Sequence, residues 1–111
     1  MSMEEIDEQR LERVFRTNIF AYILITKALA LQLVNRGIRV NGVAPGPIWT
    51  PLIPASFSEE EVAHFGSETP MKRADQPNEV ASCYVFLACN HCSSYMTGQV
   101  LHANGGTMVN G

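Results

Sequence analysis

Three cysteines and a histidine are the first side chains in this sequence whose spacing could do chemistry. Cys89-Asn90-His91-Cys92 has the separation of a metal-binding pair, with Cys83 one and a half helical turns earlier and His102 further on. Zinc asks for four nitrogen or sulfur ligands, and one Cys-x-x-Cys supplies two. Cys83 falls inside a helical pattern, where a small apolar side chain fits a covered position. An odd count of cysteines also argues against a disulfide framework. The pattern is assigned neither a metal nor a redox role, and no metal site is expected. His64 and His91 read as surface helix residues. Glu59, Glu60 and Glu61 stand where a helix N-terminus favours negative charge, and they offer no paired-carboxylate chemistry.

The second candidate is the stretch V-N-G-V-A-P-G-P-I-W-T-P-L, Val40 to Leu52. Pro45, Gly46, Ile48 and Thr50 lie on a proline-stiffened loop directly after a β-branched run. A loop at the C-terminal end of a parallel strand lies where open α/β sheets bind ligands. The competing reading is a structural loop that only caps its strand.

Elements must position that loop. Ser2 and Asp7 both qualify as N-caps, and Ser2 with Glu5 has capping-box spacing. No Gly or Pro follows until Gly37, which stands where a left-handed C-terminal cap is wanted. One helix over about 7–36 is expected, ~45 Å long if it holds thirty residues. Its second half, I-F-A-Y-I-L-I-T-K-A-L-A-L-Q-L-V, is apolar nearly all round and needs cover on most sides. Residues 38–44 read as a strand and 45–57 as an irregular loop without helix, because of its four prolines. Ser58 with Glu61 opens a short helix over about 58–65. Pro77 opens another over about 77–89, with Val80, Tyr84, Val85, Leu87 and Ala88 as its buried face. A second strand over about 99–103 closes on glycines. The fold class is α/β: a long helix, then a parallel βαβ crossover with two short strands, all in one domain spanning 1–111.

Bulk properties exclude several classes of function. A net charge of −3 and no basic stripe with aromatic platforms give no reason to bind nucleic acid. The greasiest run, 19–34, is shorter than a membrane span and carries Lys27, so no membrane insertion is expected. The acidic start M-S-M-E-E-I-D-E is no signal peptide, which points to the cytoplasm.

Four ordered stretches, "RTNIFAY", "RGIRVNGVAPGPIWTPL", "TPMKRADQPNEVA" and "SSYMTGQVLHANGG", resemble the C-terminal portion of the classical short-chain dehydrogenases/reductases. The likeness is to their bacterial general-stress and glucose-dehydrogenase-like branch. It implies an incomplete Rossmann-like fragment, and an activity of NAD(P)-dependent hydride transfer between cofactor and a carbonyl or alcohol. The family's Pro-Gly-x-Ile-x-Thr matches Pro45, Gly46, Ile48 and Thr50, which implies that they hold the nicotinamide carboxamide of NAD or NADP. Asn18 matches the family's helix Asn, which supports a water in the proton relay. A mid-helix Asn facing solvent or a carbonyl is the competing reading.

The departures are as informative. No G-x-x-x-G-x-G is present to cradle a pyrophosphate. Tyr22 and Lys27 are five apart, and neither Tyr84 nor Tyr95 has a Lys four residues on, so the Tyr-x-x-x-Lys pair is missing. "TNIFAYILITKA" joins "LALQLVNRGIRVN" somewhere between Thr26 and Leu31, where the family carries its catalytic Ser and that pair. The resemblance therefore implies a chain truncated at its N-terminus and deleted internally, with activity and tight cofactor binding lost or very weak. The alternative is a non-catalytic fragment that assembles as a homo-oligomer through the helix at about 7–36.

Overall fold

Gly37 ends the first helical segment as its position predicts. It adopts φ 73°, ψ 21°, and its N–H closes on the Val34 carbonyl at 3.0 Å. The structure, a computed structural model, describes residues 21–107. Of the helix expected over 7–36, α1 spans Ala21–Leu33 and a 3₁₀ turn carries it through Val34–Arg36. Positions 7–20, Asn18 among them, lie outside the described residues. Thr26 turns its hydroxyl back to the Tyr22 carbonyl at 2.7 Å, which satisfies a polar group on a mostly apolar helix. Ala30 is the one buried residue of α1, and a Cβ built on Gly98 would touch its methyl at 3.4 Å.

The described backbone falls into two compact units where one was expected. The first takes 21–42 together with Met96–Gln99. In it Gly98 N–H reaches the Val40 carbonyl at 2.7 Å, and Gly42 N–H reaches Gln99 at 2.9 Å. Asn41 replaces further ladder bonds with its side chain: Nδ2 donates to the Met96 carbonyl, and Oδ1 accepts from Gln99 N–H, both at 3.0 Å. This is why regular strand is shorter than the runs 38–44 and 99–103. β1 is Gly42–Val43 and β2 is Val100–Leu101, paired in a two-stranded sheet.

The second unit takes Val43–Tyr95 with 100–107. Ala44 N–H donates to Leu101 and Gly46 N–H to Ala103, at 2.8 and 2.9 Å. Partners advance together by two along both segments, which is the register of parallel strands.

The loop expected over 45–57 holds a helix, α2, Leu52–Ser56, preceded by Pro51 and containing Pro54. Four prolines argued against helix, yet both of these fall at its start. There the missing N–H groups would have no intrahelical partner. Ile53 of α2 is buried. Phe65 brings Trp49 and Phe57 together, with ring centroids 6.2 Å (Trp49–Phe65) and 6.3 Å (Phe57–Phe65) apart.

Ser58 caps α3, Glu59–Ala63, its hydroxyl accepting from Glu61 N–H at 3.2 Å. Pro77 opens α4, Pro77–Ala88, and Val80 is its buried residue. Tyr84 and Val85, expected on the buried face, are 57% and 69% exposed, and Ala88 is exposed too. A two-stranded sheet is too narrow to cover the apolar positions that the helix presents. A further single turn, α5, Asn90–Ser93, follows at once.

Candidate functional site

The loop after β1 is fixed by a segment distant in sequence. Ile48 forms an isolated parallel bridge with Asp75. Its two bonds are Asp75 N–H to the Pro47 carbonyl and Trp49 N–H to the Asp75 carbonyl, each 2.8 Å. In a parallel bridge the central residue turns its own N–H and C=O away from the partner. Ile48 therefore presents both groups on the other side of the loop, and neither forms a hydrogen bond among the described residues. The Thr50 hydroxyl is likewise unpaired, while its carbonyl accepts from Ile53 N–H at 3.0 Å. Gly46 is required by close approach: a Cβ there would come 2.8 Å from Asn104 Cα.

A cleft of about 360 Å³ opens on Gly46, Pro47, Thr69, Asp75, Glu79 and Asn104, among others. Of the four loop residues singled out from sequence, Gly46 lines it. Pro45, Ile48 and Thr50 share the loop but not the cleft wall. Thr69 is buried, its hydroxyl within bonding distance of the Gly66 and Arg73 carbonyls.

One carboxylate group on this wall escaped the sequence reading. Glu79 is held by a fork from Arg73, with both N···O distances 2.9 Å, and it also accepts from Gln76 N–H at 2.9 Å. Arg73, then the Gln76 amide and the neighbouring Asp75, lower its pKa to about 2. Asp75 goes the other way. Burial, then hydrogen bonding and charge from Glu79, push its carboxyl above the usual range. Its Oδ2 is buried and accepts no hydrogen bond. The arrangement is a structural lock between loop and helix start. The signal was present in Gln76-Pro77-Asn78-Glu79, where a Glu at the third helical position reaches back to the cap.

No disulfide joins any of the three cysteines. Among the described residues no cluster of three His, Cys, Asp or Glu could hold a metal ion, and no helix is long and apolar enough to cross a membrane.

The profile of the family described as Enoyl-(Acyl carrier protein) reductase matches residues 5–108. The chain is 55% identical over 151 aligned residues to "NADPH-dependent aldehyde reductase 1, chloroplastic" of Arabidopsis thaliana, covering 98% of this chain and 52% of that protein. It belongs to the short-chain dehydrogenase/reductase family. To "General stress protein 39" of Bacillus subtilis (strain 168) it is 64% identical over 84 residues, 76% of this chain and 29% of that one. It also resembles the crystal structure of 3-oxoacyl-[acyl-carrier protein] reductase from Brucella melitensis ATCC 23457. There the TM-score is 0.71 at 41% identity, over 80% of this chain and 33% of that one.

Short-chain dehydrogenases/reductases are NAD(P)-dependent oxidoreductases with a Rossmann-like fold, and the parallel pair β1–β2 is a part of such a sheet. The chain spans about half the length of the plant relative and about a third of the other two. An alignment of 151 residues that takes in 98% of a 111-residue chain leaves about 40 aligned positions with no counterpart here. The 84-residue alignment to the Bacillus protein already equals 76% of the chain, so it carries no such surplus.

Proposed function

We propose that this chain is a portion of a short-chain dehydrogenase/reductase that keeps the carboxamide end of a nicotinamide site and little else of it. The observation that carries this reading is the pair of unpaired backbone groups on Ile48 beside the unpaired Thr50 hydroxyl. One donor, one acceptor and a hydroxyl on a loop held rigid by Asp75 fit a primary carboxamide, which itself offers two donors and an acceptor. Pro45 and Gly46 set the loop's entry. Bound there, the cofactor would give or accept hydride at a carbonyl or alcohol carbon. Asn18 matches the family's proton-relay position, and with the Tyr-x-x-x-Lys pair missing it has no relay to support.

The surplus of about 40 aligned positions in the plant relative fits one internal gap at the joint between Thr26 and Leu31. That gap removes the Ser and the Tyr-x-x-x-Lys pair. Loss of the proton donor removes on the order of 10²–10⁴ in rate. A carboxamide clamp without a phosphate cradle binds weakly, because little binding energy remains to offset the lost freedom of the ligand. For these 111 residues taken alone, hydride transfer is lost or very weak, and neither NAD nor NADP is held tightly. The compartment that fits this reading is the cytoplasm.

A second reading is carried by a different observation. On α1, Tyr22, Leu24 and Leu31 are 69%, 64% and 77% exposed. Leu24 and Leu31, seven residues apart on one side of the helix, favour a non-catalytic fragment that associates with its own copy, helix against helix. An NADH titration of the purified chain followed by Trp49 fluorescence, with carbonyl turnover measured alongside, tests the first reading. Weak quenching without turnover is expected; no quenching at millimolar NADH overturns the clamp and leaves the second reading.

A further inference from the structure

We infer that Cys89 and Cys92 form a dithiol–disulfide couple that exchanges with small-molecule disulfides of the glutathione class. As a metal site the pair falls short, with two ligands where zinc needs four. The structure places the two residues at the ends of a single hydrogen-bonded turn, Cys92 N–H to the Cys89 carbonyl at 3.1 Å. Cys89 ends α4, its N–H bonded to the Val85 carbonyl at 3.0 Å, and at the same time caps α5. Its own carbonyl accepts from both Cys92 and Ser93 N–H at 3.1 Å. That turn keeps the two Cα atoms within about 7 Å, a separation that does not forbid a disulfide between them.

Ser93 makes the turn rigid. It is 2% exposed, and its hydroxyl lies 2.8, 3.1 and 3.0 Å from the carbonyls of Phe86, Leu87 and Cys89. Cys92 is exposed and Cys89 half-buried, so an incoming disulfide meets Cys92 first. Cys83, within α4, is outside the turn.

The exchange balances without any further reactant. Cys92 thiolate attacks one sulfur of the small disulfide; a mixed disulfide forms, and one thiol leaves with the proton Cys92 gave up. Cys89 then attacks Cys92 Sγ, the mixed bond breaks, and a second thiol leaves with the proton of Cys89. Two protein thiols are oxidised and one small disulfide is reduced to two thiols. The hydrogen bond with Cys89, and then burial, hold the Cys92 thiol above its ordinary pKa. The first step therefore speeds up as pH rises through neutrality, because the thiolate is the nucleophile.

The test uses the whole chain, reduced, stripped of reductant and equilibrated in glutathione buffers of stepped reduced-to-oxidised ratio. Samples are acid-quenched, alkylated with iodoacetamide, cut with chymotrypsin and weighed; cleavage after Phe86 or Leu87 separates Cys83 from the pair. As the oxidised form increases, the peptide carrying Cys89 and Cys92 should lose two hydrogens and escape alkylation while Cys83 stays alkylated. Adding reductant should restore both sites, and C83A should behave like the native chain. Glutathione retained on Cys92, a bond to Cys83 or to a second chain, or full alkylation at every ratio overturns the inference.

Discussion

Asp75 holds Trp49 through the main chain, carbonyl to N–H at 2.8 Å, and the same aspartate turns its carboxyl toward Glu79 at the start of α4. One residue thus joins the loop carrying Ile48 and Thr50 to the helix whose first turn Arg73 and Glu79 secure. The geometry of the loop is inherited from that lock.

Replacing Gly46 by Ala puts a methyl 2.8 Å from the Asn104 main chain, which has no flexible end to yield. The loop and the β2 end must separate, at a cost of about 1–3 kcal/mol. Urea unfolding of G46A should show that loss, with a weaker Trp49 response to NADH. Unchanged stability would mean that the close approach is not maintained in solution.

Glu79 sets a pH window. Its folded pKa of about 2 lies below the ordinary 4.5, so its stabilisation is complete above 4.5 and disappears as pH falls toward 2. Asp75, raised, has the opposite sign: it favours the fold at low pH and loses that contribution as pH climbs through its raised value. Glu79→Gln should therefore be less stable than the native chain at neutral pH, and the difference should shrink between pH 4.5 and 2. Thermal melts across that window read it directly; a difference independent of pH would contradict the lock.

Thr50→Val tests the clamp. Losing one hydrogen bond of about 1 kcal/mol weakens a ligand roughly fivefold. The Trp49 titration with NADH should shift by that factor, with no carbonyl turnover in either chain. Steady turnover in the native chain that vanishes in T50V would show that hydride transfer survives here after all.

Leu31, 77% exposed on α1, tests association. If a second copy covers it, burying this side chain is worth about 1.5–3 kcal/mol, and Leu31→Lys raises the dissociation constant by at least tenfold. Sedimentation equilibrium at micromolar concentration should find the native chain as an oligomer and L31K shifted toward monomer. A native chain that sediments as a monomer removes the helix-to-helix reading.

The sequence by itself determined the family, the left-handed end at Gly37, the Ser58–Glu61 cap and the Pro77 start of α4. Each of those local features is completed within a few residues, so the partners are visible in the string. The tertiary structure alone decided that Asp75 bridges Ile48, that Asp75 and Glu79 face each other, and that Cys89 and Cys92 share a rigid turn. It also decided that Pro51 and Pro54 open a helix, and that Tyr84 and Val85 stay uncovered for want of a wider sheet. Periodicity reports which face of an element is apolar. Whether anything covers that face, and which distant backbone group meets which, depends on how the elements pack in space.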